Sequence, residues 1–466
     1  MSLNGSWRYL AICVLILPGT LCFLQDQPKV LLVSFDGFRW DYIYKFPTPN
    51  FQYIIKNGIH VEQVTNAFIT KTFPNHYTMV TGLYAESHGV VANEMYDPVL
   101  NDSFSMNHMT IYNSKFWEDA YPIWITNQMQ GYRSGAAMWP GTDVKIHGVF
   151  PTHYMPYNES VTFQERVAKL IEWFRSKEPI NLGLLYWEQP DELGHILGPD
   201  NPLMEKVIRD VDENLGYLVS ELKRENLWDT LNVIITSDHG MAQNSRDRII
   251  ELDLYVDREL YRMIDHSPTV ALLPEEGKLD EVYSALVNAH PHMSVYKKED
   301  IPNRLHYKHS SKIQPILAVA DEGWEILQNK SDGFVWGDHG YDNVLPEMHP
   351  IFLAHGPAFR RNFSKQAMNS TDLYPLLCYM LGIDPLPNNG SLESMKDALV
   401  NPVHEASQPR FLLDYQQASY AYFIGVILGS TLVLVFLLAF VRHLTYSQTP
   451  AVWGRQTEVT QPLLQP

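Results

Sequence analysis

The sequence predicts an α/β fold: a largely parallel central sheet with helices on both faces, followed by one transmembrane helix near the C-terminus. Three observations predict it. Apolar runs of strand length at 30–35, 182–187 and 233–237 each lead into an aspartate: Asp36, Asp191 and Asp238. Such runs, bounded by turn residues, read as strands buried on both faces. Helical periods at 163–176 and 204–225 alternate with them, the βαβ order of a parallel sheet. The stretch 421–441 is apolar, uncharged and long enough to cross a bilayer.

Taken in order, residues 1–24 carry one early basic residue, Arg8, then a short apolar stretch broken by Pro18-Gly19. That is the pattern of a cleaved secretory signal rather than an anchor. Residues 25–395 hold the alternating elements, with further short buried strands expected at 316–320 and 350–354. Residues 396–420 lack a hydrophobic period and read as a juxtamembrane stalk, which also allows a shed or secreted form. Tyr420 and Tyr422 flank the start of the span at 421–441, and Arg442-His443 follow it. The basic flank leaves 442–466 as a cytoplasmic tail and the N-terminal bulk outside, a type I single-pass arrangement. Leu463-Leu464 resembles a sorting signal with its acidic residue one position off.

The formal net charge of -18 argues against binding a nucleic-acid polymer, which calls for a basic face. It does not oppose a small anionic substrate, because bound dications dominate a local field. No specific protein partner is indicated. Of three cysteines, Cys13 and Cys22 leave with the signal, so Cys378 stands alone as a core thiol. Sequons at Asn101, Asn158, Asn329, Asn362, Asn369 and Asn389 all fall in the expected ectodomain, as in a surface glycoprotein.

In an open parallel sheet, ligands gather outside the carboxyl ends of the strands. Three such ends bring Asp36, Asp191 and Asp238 towards one crevice. His195 shares a helical face with Asp191 at i,i+4, and His239 follows Asp238. The Gly-rich fragment 337–343 offers His339. A single Asp in these places is ordinarily a cap or turn residue. Together they form a donor set too large for one tetrahedral ion, suited to two ions about 3.5–4 Å apart. Such a centre needs a nucleophile. Thr72, in Lys71-Thr72-Phe73-Pro74-Asn75-His76, is the best candidate, although its own neighbourhood fits a loop or N-cap threonine equally. Lys71 is a tempting second cation, but in a strand-like segment it points away from Thr72.

These segments, with Ser34-Phe35-Asp36-Gly37 and Ser237-Asp238-His239-Gly240-Met241, resemble the signature set of the ectonucleotide pyrophosphatase/phosphodiesterases of the alkaline phosphatase superfamily. The resemblance spans about residues 28–395. It implies an alkaline-phosphatase-like fold and two zinc ions. One is held by Asp191, His195 and His339, the other by Asp36, Thr72, Asp238 and His239. It makes Thr72 the nucleophile, forming a covalent nucleotidyl-threonine that water hydrolyses to a nucleoside 5′-monophosphate. It makes Asn93 a donor to a phosphate oxygen, and Phe73 and Tyr154 the aromatic pair that sandwiches a base. The implied substrate is a nucleotide or dinucleotide, with NAD and dinucleoside polyphosphates as candidates. A choline-headgroup lipid phosphodiesterase would use the same centre with a cationic cage in place of the base slot. A surface recognition glycoprotein with little turnover is the third reading.

Overall fold

The computed structural model describes residues 28–106, 108–400, 429–431 and 434–439. The signal expected at 1–24, the tail at 442–466 and most of the span at 421–441 lie outside these residues. The short pieces at 429–431 and 434–439 are helical and exposed. Among the described residues, no helix is long and apolar enough to cross a membrane.

In chain order, the strands used below are β1 (Lys29–Phe35), β2 (Ile59–Thr65), β3 (Ser134–Ala137), β4 (His153–Met155), β5 (Leu182–Trp187) and β6 (Leu231–Thr236). Then come β7 (Tyr261–Asp265), β8 (Thr269–Pro274), β9 (Met293–Lys297), β10 (Ile316–Ala320), β11 (Phe352–His355) and β12 (Phe363–Asn369). The helices are α1 (Thr72–Thr81), α2 (Phe163–Phe174), α3 (Asp191–Leu197), α4 (Met204–Arg224) and α5 (Leu373–Leu381). The central sheet has eight strands in the order β12-β2-β11-β6-β1-β5-β3-β4. Its pairings are parallel except those of β11, which runs against both β2 and β6.

Strand β1 shows why the sheet sits in the middle. Alternate residues of a strand point to opposite faces. Val30 and Leu32 belong to one core with Tyr77 and Val80 of α1 and Leu376 and Leu377 of α5. Leu31, Val33 and Phe35 belong to another with Val167 and Leu170 of α2 and Val211 and Leu215 of α4. Both faces are covered, so an unbroken apolar run is what this strand requires.

Two features go beyond what the sequence shows. The run 316–320 is a buried strand, but as β10 it lies in a separate antiparallel sheet ordered β7-β8-β10-β9, which has its own apolar core. Its apolar run reports burial on both faces and carries no information about which sheet it joins. The packed body also extends past 395. Met395, Ala398 and Leu399 are fully buried, and the Val400 amide donates to the Ala358 carbonyl at 2.9 Å.

Candidate metal and nucleophile site

Three adjacent strands, β6, β1 and β5, deliver the carboxylates. Phe35 pairs with Trp187 and Ser34 with Thr236, so these strands finish level. The Asp36 amide donates to the Trp187 carbonyl at 2.9 Å, and the Asp191 amide to the Asp36 carbonyl at 3.1 Å. The Gly37 amide donates to Asp238 Oδ1 at 3.2 Å. Gly37 has φ +66°, and a Cβ there would stand 2.8 Å from the Asp191 side chain. Only a residue without a side chain lets these aspartates converge.

Thr72 arrives differently from the expectation. It is the first residue of α1, with the extended Lys71 as cap, and not part of a strand. Pro74, in the first turn, loses nothing by lacking an N–H, since first-turn amides have no partner within the helix. Asn75, fully buried, pins the approach: its Oδ1 accepts from the Ala67 amide, and its Nδ2 donates to the Ile69 and Lys71 carbonyls. Lys71 does line the cavity, yet its Nζ is held by Asp265 Oδ2 at 2.7 Å and the His266 carbonyl at 2.8 Å. Lys71 is thus kept from Thr72 by its buried ion pair and not by strand alternation.

The imidazoles are oriented alike. Nδ1 of His195 lies 2.8 Å from the Gly337 carbonyl, that of His239 2.8 Å from the Gly240 carbonyl, and that of His339 2.9 Å from the Thr70 carbonyl. Each Nδ1–H donates there, which turns Nε2 inward, the arrangement of ligating histidines. Asp191 meets His195 Nε2 at 3.3 Å and His339 Nε2 at 3.6 Å. His239 Nε2 meets Asp238 Oδ2 at 2.9 Å and Asp36 Oδ1 at 3.4 Å. Thr72 Oγ1 stands 3.4 Å from the same nitrogen. Donors about 2 Å from a tetrahedral ion stand about 3.3 Å apart, so the spacing fits. Asp36 Oδ1, Asp191 Oδ1 and Asp238 Oδ2 are buried and make no hydrogen bond. Leaving three carboxylate oxygens so is costly unless a cation fills the space between them. Donor type, spacing and orphaned oxygens fit two metal ions.

The electrostatics carry the same strain. Burial and the neighbouring Asp238 and Asp191 carboxylates hold Asp36 well above the usual range. For Asp238, burial is outweighed by His239 and His76, which hold it well below. Burial also opposes the charge on His195, but Asp191 outweighs it and raises His195 to about 10. Burial and the adjacent His239 push His339 down.

Thr72, Asn93, Asp191, His195 and His339 line one cavity of about 490 Å³. Asn93 Oδ1 accepts from the Phe73 amide at 2.9 Å, which fixes its side chain beside α1. Phe73 is nearly buried, edge-on to Phe104 and Trp117. Tyr154 stacks on Phe150 at 4.8 Å and lines a neighbouring concavity that shares Tyr157 with the Thr72 cavity. Two residues escaped the sequence reading. Asp338 joins His195 and His339 as a further potential donor, and Tyr186 donates to Asp36 Oδ2 at 2.6 Å. Asp338 adjoins His339 in a fragment already singled out. Tyr186 lay inside an apolar run with nothing to mark it. Asn101, Asn158, Asn362, Asn369 and Asn389 are exposed and Asn329 is half-buried.

The sequence profile of the type I phosphodiesterase/nucleotide pyrophosphatases matches residues 30–342. The chain belongs to that family. This type I phosphodiesterase/nucleotide pyrophosphatase is therefore a hydrolase. It is 64% identical over 465 residues to human ectonucleotide pyrophosphatase/phosphodiesterase family member 5, covering 97% of this chain and 98% of that one. It is 50% identical to human bis(5′-adenosyl)-triphosphatase ENPP4, covering 88% and 87%. Among solved structures, it matches murine ectonucleotide pyrophosphatase/phosphodiesterase 5 in its inactive T72A form in complex with AMP. That match has a TM-score of 0.80 at 68% identity, over 80% of this chain and 100% of that one.

Proposed function

We propose that this phosphodiesterase acts outside the cell as a two-zinc nucleotidyl hydrolase. It would cleave a phosphoanhydride or phosphodiester and release a nucleoside 5′-monophosphate through a covalent intermediate on Thr72. The observation that carries the reading is the placement of Thr72 Oγ1 beside His239 Nε2, within a set of buried carboxylate oxygens that lack partners. Asp191, His195 and His339 would hold one zinc; Asp36, Asp238 and His239, with Thr72 Oγ1, the other. Bound there, zinc supplies Lewis-acid chemistry, withdrawing charge from the nucleophile and from phosphoryl oxygens. Thr72 Oγ1 loses its proton to solvent and forms a bond to phosphorus as the bridging P–O bond breaks and the leaving group departs with that oxygen. Water then attacks phosphorus, the Thr72 Oγ1–P bond breaks, and the threonine hydroxyl is restored. Helix α1 orients the nucleophile, and Asn93, anchored through Oδ1, turns its Nδ2 donors towards a phosphate oxygen.

NAD and dinucleoside polyphosphates are the candidate substrates. The dinucleoside name of the ENPP4 relative and the AMP bound to the murine structure support this class. Phe73 and Tyr154 would hold the base, since stacking tolerates different bases. The sequons, the 1–24 signal and the 421–441 span support a type I surface glycoprotein. Rapid quenching with NAD, followed by mass spectrometry of the peptide containing Thr72, tests the reading. Transient addition of a nucleoside monophosphate mass to Thr72 is expected. Full turnover with an unmodified Thr72 at every time point would contradict it.

A further inference from the structure

Asp36 has two oxygens in different situations. Oδ1 is buried, without a hydrogen bond, 3.4 Å from His239 Nε2. Oδ2 accepts the Tyr186 hydroxyl at 2.6 Å. We infer that Tyr186 is a positioning residue for the metal site built on Asp36, Asp238 and His239, fixing Asp36 so that Oδ1 alone faces the ion. This rests on the two-metal reading above.

The placement of Tyr186 is over-determined. It sits in β5 opposite Ser34 of β1, two residues before Asp36. Its carbonyl accepts from the buried Arg166 guanidinium at 2.8 Å, and its ring meets His76 edge-on at 5.1 Å. His76 in turn contacts Ser34 Oγ at 2.9 Å and the Thr72 carbonyl at 2.9 Å. One packed group thus ties Tyr186 to the first turn of the nucleophile helix. A carboxylate with one oxygen engaged by a short charge-assisted bond is held against swinging to bind through both. Outer partners of this kind typically change metal affinity by about 10–100-fold. None of the other carboxylate ligands receives a tyrosine hydroxyl among the described residues, so the effect belongs to one site.

Tyr186→Phe removes only the hydroxyl. The test is a chelator titration of the full chain in detergent, with retained zinc counted per chain, for wild type, Tyr186→Phe and His339→Ala. Wild type is expected to hold two zinc ions. Tyr186→Phe should lose one of them at about 10–100-fold lower chelator strength and keep the other at the wild-type value. Excess zinc should then restore its turnover. His339→Ala should show loss at the opposite site, with Asp36 ligation intact. Equal retention in wild type and Tyr186→Phe would overturn the inference, as would equal loosening of both ions, which marks general loss of structure. A folded wild type that holds no zinc would sink the two-metal reading and this inference with it.

Discussion

The imidazoles of His239 and His339 lie face to face, centroids 3.5 Å and planes 12° apart. Together with Asp191 they offer ligand atoms within 4.8 Å of one another; in the proposed two-zinc arrangement each serves a different ion, so this contact is where the two halves of the centre would meet. His239 arrives at the end of a central strand. His339 arrives from a fragment whose Gly337-Asp338 pairs with Ala242-Gln243. Removing His339 should therefore empty one half without collapsing the other. His339→Ala is expected to bind one zinc per chain instead of two and to lose at least about a hundredfold in kcat/KM, while its melting curve remains cooperative. Metal analysis with steady-state kinetics checks this; two retained zinc ions would contradict it.

Under the proposed mechanism, Thr72 separates chemistry from binding. Thr72→Ala should lose at least about a thousandfold in kcat, because the covalent step has no replacement nucleophile. It should still bind AMP, since Asn93 and most metal donors remain. Calorimetric titration with AMP beside the rate assay distinguishes a lost nucleophile from a collapsed site.

The Lys71–Asp265 pair is buried on both sides at 2.7 Å. Removing one partner leaves an uncompensated charge in the interior. Asp265→Ala should cost about 3–5 kcal/mol in denaturant unfolding. Lys71→Met combined with Asp265→Leu should recover much of that loss, because neither charge then remains to be solvated. A single variant as stable as wild type would show that the pair is relaxed by water.

Glu325 supplies a pH dependence. Burial, then the nearby Asp338 charge, raises its carboxyl from 4.5 to about 7. Between those values the folded chain holds a proton that the unfolded chain has released. The associated stability is fully present below about pH 4.5 and is lost as pH rises through about 7. In metal-free protein, Tm should fall more steeply from pH 5 to 8 in wild type than in Glu325→Gln. Parallel profiles would remove Glu325 from the account.

The aspartates were legible because a strand followed by a carboxylate is a local pattern, and a parallel sheet gathers strand ends in one place. Asp191 and His195 were legible for the same reason, as one turn of α3. Tyr186 and the Asp265 partner of Lys71 were not. Their roles depend on β1 pairing with β5 and on a separate antiparallel sheet reaching α1, contacts between distant parts of the chain. Residues 316–320 show the limit most simply: an apolar run announces burial, and only the pairing of β10 with β8 and β9 says where.

The most direct test of the account is product analysis. The purified, zinc-loaded chain is incubated with NAD beside Thr72→Ala and a chelated sample, and products are separated by chromatography. The account predicts AMP and nicotinamide mononucleotide from the wild type alone, with activity returning when zinc is restored to the chelated sample. Cleavage that persists in Thr72→Ala at the wild-type rate, or that survives complete removal of metal, would contradict it.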